Sequence, residues 1–187
     1  TPPMLMVDAS DPTKPDGIAP VLWDLFGEVL GLEVESQNIQ WPAQLPAVQS
    51  GSVDALFAQV SITAEREESV VDLIPFQMKT YGMLVAAGNP QGIGAIADLC
   101  GLGIGVAIGS TVAALVQSIS DSECVGKGKP AIEIAEYQGA AASNQAIRAG
   151  TVDAWMDILS NVQTTARADS DLFTAIEVPT TEAPAEY

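Results

Sequence analysis

Residues 47–56 read Ala47-Val-Gln-Ser-Gly51-Ser-Val-Asp54-Ala-Leu56, and residues 146–155 read Ala146-Ile-Arg-Ala-Gly150-Thr-Val-Asp153-Ala-Trp155. The offset is 99 residues throughout, with Gly51 matching Gly150 and Val53-Asp54-Ala55 matching Val152-Asp153-Ala154. Each copy reads as a helix end, a glycine free to take positive φ, a tight turn and a buried strand. Two such units in 187 residues predict two similar lobes, each an open α/β sheet. The alternative is a coincidence between two ordinary helix-to-strand turns. Ligands of open α/β sheets bind outside the carboxyl ends of the strands. That end is Gln59–Ser61 in the first copy and Asp157 in the second. Two lobes facing each other would put both ends on one cleft.

Working outward, hydrophobic spacing predicts a helix over 18–31, with Pro20 in its first turn and Gly31 as its stop. Short helices are expected at 43–50, 93–99, 111–119, 140–149 and 158–168, and a capped helical turn after Thr63. Strands are expected at 32–35, 53–60, 79–87, 103–108, 131–137, 152–156 and 173–178. The stretch 121–130 reads as a polar, glycine-rich loop. Helices alternating with strands argue for an α/β chain with mainly parallel sheets.

Composition narrows the function. Seven Lys and Arg against 24 Asp and Glu give a net charge of −17, and there is no histidine. That balance argues against nucleic acid and against an anionic membrane surface. Serine or cysteine nucleophiles activated by histidine are excluded, as are His-ligated metals. Two cysteines cannot build a four-Cys zinc site, so no cofactor or metal is expected. The run Gly101-x-Gly103-x-Gly105 lacks dinucleotide-fingerprint spacing and enters a strand instead of leaving one. No apolar run reaches the length of a membrane-spanning helix. The opening Thr1-Pro2-Pro3 carries no signal-peptide pattern, so any such leader is expected to lie outside this sequence. Cys100 and Cys124 flank an expected strand and helix whose ends can meet, so a disulfide between them is expected, with two reduced core thiols as the alternative. Abundant carboxylates with only four lysines fit a protein facing external solvent.

Several stretches, taken in order, resemble the extracellular solute-binding proteins of bacterial ABC importers, the polar amino acid group (family 3). They are Pro2-Pro3-Met4, Asp16-Gly17, Leu30-Gly31, Leu45 to Ala55, and Ser61-Ile-Thr63-Ala-Glu-Arg66 followed by Val71-Asp72. In the second half come Asp98-Leu-Cys100-Gly101, Gly105-Val106, Gly109-Ser110-Thr111 and Gly150-x-Val152-Asp153-Ala154. The resemblance implies a two-lobed α/β fold of the type II periplasmic-binding-protein kind. Each lobe would be an open, mainly parallel sheet flanked by helices, with a ligand cleft between lobes. The expected division is lobe one over 1–85 with a hinge strand at about 80–88, lobe two over 89–173, and a return crossing with a tail over 174–187. Family members carry one more strand before the Pro-Pro segment and run on past the last strand, so this sequence is expected to be truncated or a shortened relative.

The resemblance also implies roles. Arg66 would clamp a ligand carboxylate with parallel hydrogen bonds. An ion pair with Glu65 to Glu68 is the plainer reading, and Arg148 and Arg167 read as solvated helix residues. Ser61 and Gln59 would bind the ligand from the first strand end, or be ordinary loop polarity. Ser110 and Thr111 open a helix whose free N–H groups favour an anion, or simply cap it. Trp41 would form a pocket wall, or be a core residue. Asp157 would meet a ligand ammonium, although the family acid stands one position later, where this chain has Ile158. Asp54 and Asp153 recur with the turn and read as structural.

The resulting expectation is an extracellular or periplasmic monomer, with a lipid anchor left open, that binds a small carboxylate such as a polar amino acid by lobe closure. It would deliver this ligand to a membrane ABC permease. The alternatives are a prephenate- or arogenate-type dehydratase on the same scaffold, or the sensing domain of a receptor.

Overall fold

The computed structural model describes residues 3–7, 10–11, 14–69 and 71–178. The tail 179–187 and Pro2 of the Pro-Pro segment lie outside the described residues. The chain divides into two compact units between Met78 and Lys79.

The first unit is built on helices α1 (Ile18–Leu30), α2 (Trp41–Gln49) and α3 (Ala64–Ser69). Its sheet, among the described residues, is a two-residue antiparallel ladder of β1 (Met6–Val7) and β2 (Pro15–Asp16). Gly17 sets the entry to α1. Its φ is +112, and a Cβ there would stand 2.7 Å from the Pro3 carbonyl oxygen. Only glycine lets the chain pass so close, and the first amides of α1 then bond outward, Ala19 N–H to Met4 O at 2.9 Å. The helix ends at Gly31, which is left-handed. Its apolar arc is not covered by any described element: Val21, Leu25 and Val29 are 58%, 50% and 82% exposed.

The second unit holds a five-stranded sheet in the order β5-β4-β6-β3-β7. The strands are β3 (Tyr81–Ala86), β4 (Gly103–Ala107), β5 (Glu133–Tyr137), β6 (Ala154–Ile158) and β7 (Phe173–Glu177). β4 runs parallel to β5 and β6, whereas β3 is antiparallel to β6 and β7. Helix α4 (Thr111–Ile119) belongs to one core, with Met83, Val85, Ile104, Val106, Val112, Val116, Ala154 and Met156. Helices α5 (Ala140–Arg148) and α6 (Leu159–Ala168) belong to the other, with Leu84, Ile147, Trp155, Val162 and Phe173. Alternate residues of β3 and β6 thus enter opposite cores, which is why both strands are mostly apolar.

The repeated turn is real at the level of single hydrogen bonds. In the first copy Gly51 N–H bonds Val48 O and Ser52 N–H bonds Ala47 O; in the second Gly150 N–H bonds Ile147 O and Thr151 N–H bonds Ala146 O. Both glycines are left-handed, at φ +72 and +68. This is the helix-ending motif in which one glycine lets two amides reach back to the last turn.

Three expectations are corrected. Residues 32–35 and 53–60 are not strands, because neither has a neighbouring strand to complete its hydrogen bonds. The sheets are not mainly parallel in each unit: the first has the short antiparallel ladder and the second a mixed sheet. The expected loop 121–130 continues α4 as wider and tighter helical turns over 120–127. The segment expected as a hinge strand at about 80–88 holds β3, which pairs with β6 and β7.

Cys100 and Cys124 are joined by a disulfide, their Cα atoms 5.4 Å apart. The bridge ties the short helix Ile96–Leu99 to the turn that ends α4, and Cys124 is buried in the core. Unreduced, denatured protein is expected to show no titratable thiol. Reduction should lower stability by about 3 kcal/mol on the loop-entropy account. Two thiols before reduction would contradict the bridge.

Candidate ligand-binding site

In the first unit one tight turn gathers Ser61, Thr63 and Arg66. Thr63 precedes α3, and its carbonyl and Oγ1 both accept the Arg66 amide, at 3.0 and 3.3 Å. The Arg66 side chain folds back, and its Nη1 donates to the Ser61 carbonyl at 2.8 Å. Ser61 is buried at 5% exposure, while Arg66 and Gln59 are half-buried. The guanidinium is therefore held by the backbone beside the segment that carries Gln59. Trp41 is the first residue of α2 and is half-buried. Arg148 and Arg167 are exposed, as solvated helix residues should be.

In the second unit three parallel strands, β5, β4 and β6, end on one edge of the sheet. Ala107 is level with Tyr137, and continuing the β4–β6 register puts Asp157 in the same row. Beyond β4 the chain turns at left-handed Gly109 and reaches Ser110, the N-cap of α4. Ser110 makes no side-chain cap bond, and its Oγ is buried without a partner. A buried hydroxyl left unpaired where a nine-residue helix begins is suited to an arriving acceptor. Thr111, half-buried, follows it as the first helical residue.

Asp157 lies at the end of β6 on the side facing α6. Its Oδ1 accepts the Ile158 amide at 2.7 Å and its Oδ2 accepts Asn161 Nδ2 at 3.3 Å. Burial raises its pKa above the usual aspartate value, opposed by hydrogen bonds from the Ile158 amide, Asn161 and the Trp155 side chain. The one-residue offset seen in the sequence thus has a structural counterpart: in this register the carboxylate shares a face with Trp155, and Ile158 takes the other. Asp153 is structural. It accepts the Gly103 amide at 2.8 Å and Gln91 Nε2 at 2.6 Å, joining the starts of β4 and β6 to the loop after β3.

Asn161 and the end of β5, where exposed Gln138 follows Tyr137, escaped the sequence reading. The only signal for Asn161 was its place in the first turn of the helix that follows the strand carrying Asp157. No cluster of three His, Cys, Asp or Glu suited to a metal occurs among the described residues. No described helix is long and apolar enough to cross a membrane.

With this geometry in view, the comparison with known proteins is direct. The model of the bacterial extracellular solute-binding proteins, family 3, matches residues 1–179. The chain belongs to that family. It is 25% identical over 125 residues to the L-cystine-binding protein TcyJ of Escherichia coli strain K12, a stretch covering 67% of this chain and 44% of that protein. The chain thus spans less than half the length of the curated relative it matches. An ancestral arginine-binding protein bound to glutamine superposes at TM-score 0.80 and 23% identity, over 94% of this chain and 73% of that one. Holo ArgBP from T. maritima superposes at TM-score 0.73 and 20% identity, over 91% and 70%. The ancestral amino acid-binding protein AncCDT-1, described as a precursor of cyclohexadienyl dehydratase, gives 0.76 and 21%, over 94% and 72%. These likenesses establish the fold, the type II periplasmic-binding-protein class, for this member of the family.

Proposed function

We propose that this chain is the substrate-binding part of an ABC importer that binds a polar amino acid outside the cytoplasm. The observation that carries this reading is the family match, which runs across both units and so takes in Arg66, Ser110 and Asp157 together. Arg66 would grip the ligand carboxylate, helped by the Ser110 hydroxyl and the first amides of α4. Asp157 would take the ammonium, with Gln59, Ser61, Thr111 and Trp41 bounding the ligand. In this reading 1–85 forms one lobe and 89–173 the other. A hinge strand at about 80–88 would cross out of the first lobe, 174–187 would be a return crossing with a tail, and the lobes would close on the ligand by hinge motion. A membrane permease would receive the closed form, and the binding protein would act as a monomer, free or lipid-anchored.

A dehydratase reading has one observation in its favour. A general acid needs a raised pKa, and Asp157 has one. Thermal-shift measurements with L-cystine, L-arginine and L-glutamine, run beside a product assay with prephenate and arogenate, separate the two. A melting temperature raised by an amino acid, with no product formed, is expected. Phenylpyruvate or phenylalanine formation would replace the binder with the enzyme.

A further inference from the structure

Asn161 lies in the first turn of α6 and is only 6% exposed. Its Nδ2 donates to Asp157 Oδ2 at 3.3 Å, while its own Oδ1 is buried without a hydrogen-bond partner. Both atoms belong to one planar amide, so this unpaired oxygen lies within a few ångströms of the Asp157 carboxylate. A buried carbonyl oxygen without a donor is costly, and natural folds rarely leave one unanswered. The row that holds Asp157 has small neighbours, and side chains of α6 fill the space above Gly82. Gly82 is level with it on β3, and Ala107 continues the row on β4. Gly82 has no room for a side chain: a Cβ there would stand 2.6 Å from Leu159 Cδ1.

An ammonium group carries three N–H donors and needs several acceptors once desolvated. A single carboxylate already holding the Ile158 amide and the Asn161 amide offers few remaining lone pairs. Resting on the amino acid reading above, we propose that Asn161 is a specificity residue of the same site: it aims the Asp157 carboxylate and presents its own Oδ1 as a second acceptor for the ligand's ammonium. It would therefore favour an amino acid over the same acid bearing a hydroxyl in place of the amine. The other ionisable groups on elements packed around Asp157 are Tyr81 of β3, Glu133, Glu136 and Tyr137 of β5, Glu177 of β7, Arg148 at the end of α5 and Arg167 late in α6. Asn161 differs from all of them in bonding the carboxylate directly.

The test is calorimetric titration of the 187-residue chain with L-arginine, L-glutamine and L-cystine, and with the 2-hydroxy analogue of whichever binds. Asn161→Leu should lose about tenfold or more in amino acid affinity and less than about threefold for the hydroxy acid. A pH series adds a readout that a purely structural role would not move. Amino acid affinity should fall as acid protonates Asp157, with a midpoint above the ordinary aspartate range. Loss of the Asn161 donor should move that midpoint upward, because the ionised carboxylate loses a hydrogen bond. Asn161→Ser serves if the leucine variant fails to fold. Equal losses for both ligands, or an unmoved midpoint in either variant, would overturn the proposal. So would a wild-type amino acid affinity that stays flat through the acid range. Binding of none of the three amino acids by the wild type would instead remove the amino acid reading, and this inference with it.

Discussion

Replacement of Arg66 by alanine is expected to weaken binding of a carboxylate ligand by about 2–5 kcal/mol, because a desolvated carboxylate loses its charge-assisted partner. That corresponds to about thirtyfold at the low end and several thousandfold at the high end. The size follows from how Arg66 is held. Thr63 fixes its backbone through two hydrogen bonds, and the Ser61 carbonyl fixes its guanidinium at 2.8 Å. The side-chain entropy that usually weakens an arginine contact is thus largely spent in folding. Arg66→Lys should recover little, since an ammonium cannot make two parallel bonds to one carboxylate. The fold should survive either change, because α3 is six residues long and Arg66 is only half-buried. Calorimetry checks the first claim and thermal melting the second. An unchanged affinity in Arg66→Ala would end the assignment of the carboxylate clamp.

The largest expected stability effect is at Trp155. It is 2% exposed and sits mid-strand on β6, in the core formed with Leu84, Ile147, Val162 and Phe173. The neighbouring strand makes room for the indole. Gly105 pairs with Trp155 across β4 and β6, and a Cβ at Gly105 would approach the indole Cε3 to 3.2 Å. Trp155→Ala should therefore cost about 3–5 kcal/mol, the usual range for an aromatic deletion that leaves a cavity. Set against a typical domain stability of about 5–15 kcal/mol, that is a large fraction of the whole. Chemical denaturation with the slope unchanged and the midpoint lowered is the expected record. A loss below about 1 kcal/mol would mean the site collapses without a cavity.

What the sequence made legible was mostly local. Helix α4 is found over Thr111–Ile119 because Ser110 marks its start and Val112, Val116 and Ile119 repeat on one face. The end of α1 at Gly31 and the paired turns at Gly51 and Gly150 follow from glycine alone, since few other residues take those angles without strain. The two copies then diverge. After Gly150 the chain becomes β6, because β4 and β3 are there to pair with it. After Gly51 the same Val-Asp-Ala motif leads to no strand. Local pattern records a preference for extended backbone, whereas a strand needs a neighbour that pattern does not name. The segment 121–130 failed for a related reason. Its serine, aspartate and glycines favour turns, yet the disulfide at Cys124 and the bond from Ile132 N–H to Ser120 Oγ hold helical turns in place.

The candidate residues divide along the same line. Ser61, Thr63 and Arg66 lie within six residues, and their spacing sufficed to predict one turn. Asp157 was legible as a strand-end acid, but not the side it would face, because one residue of register exchanges the two faces of a strand. Asn161 reads as an ordinary polar helix residue until its buried oxygen is found without a partner.

The central claim, that this chain reversibly binds an amino acid without altering it, is tested most directly by native mass spectrometry of the purified 187-residue protein with L-cystine, L-arginine and L-glutamine in turn. The expected spectrum shows one ligand per chain at unchanged ligand mass, released intact on denaturation. A spectrum with no adduct for any of them, or with the added compound converted to a different mass, would contradict it.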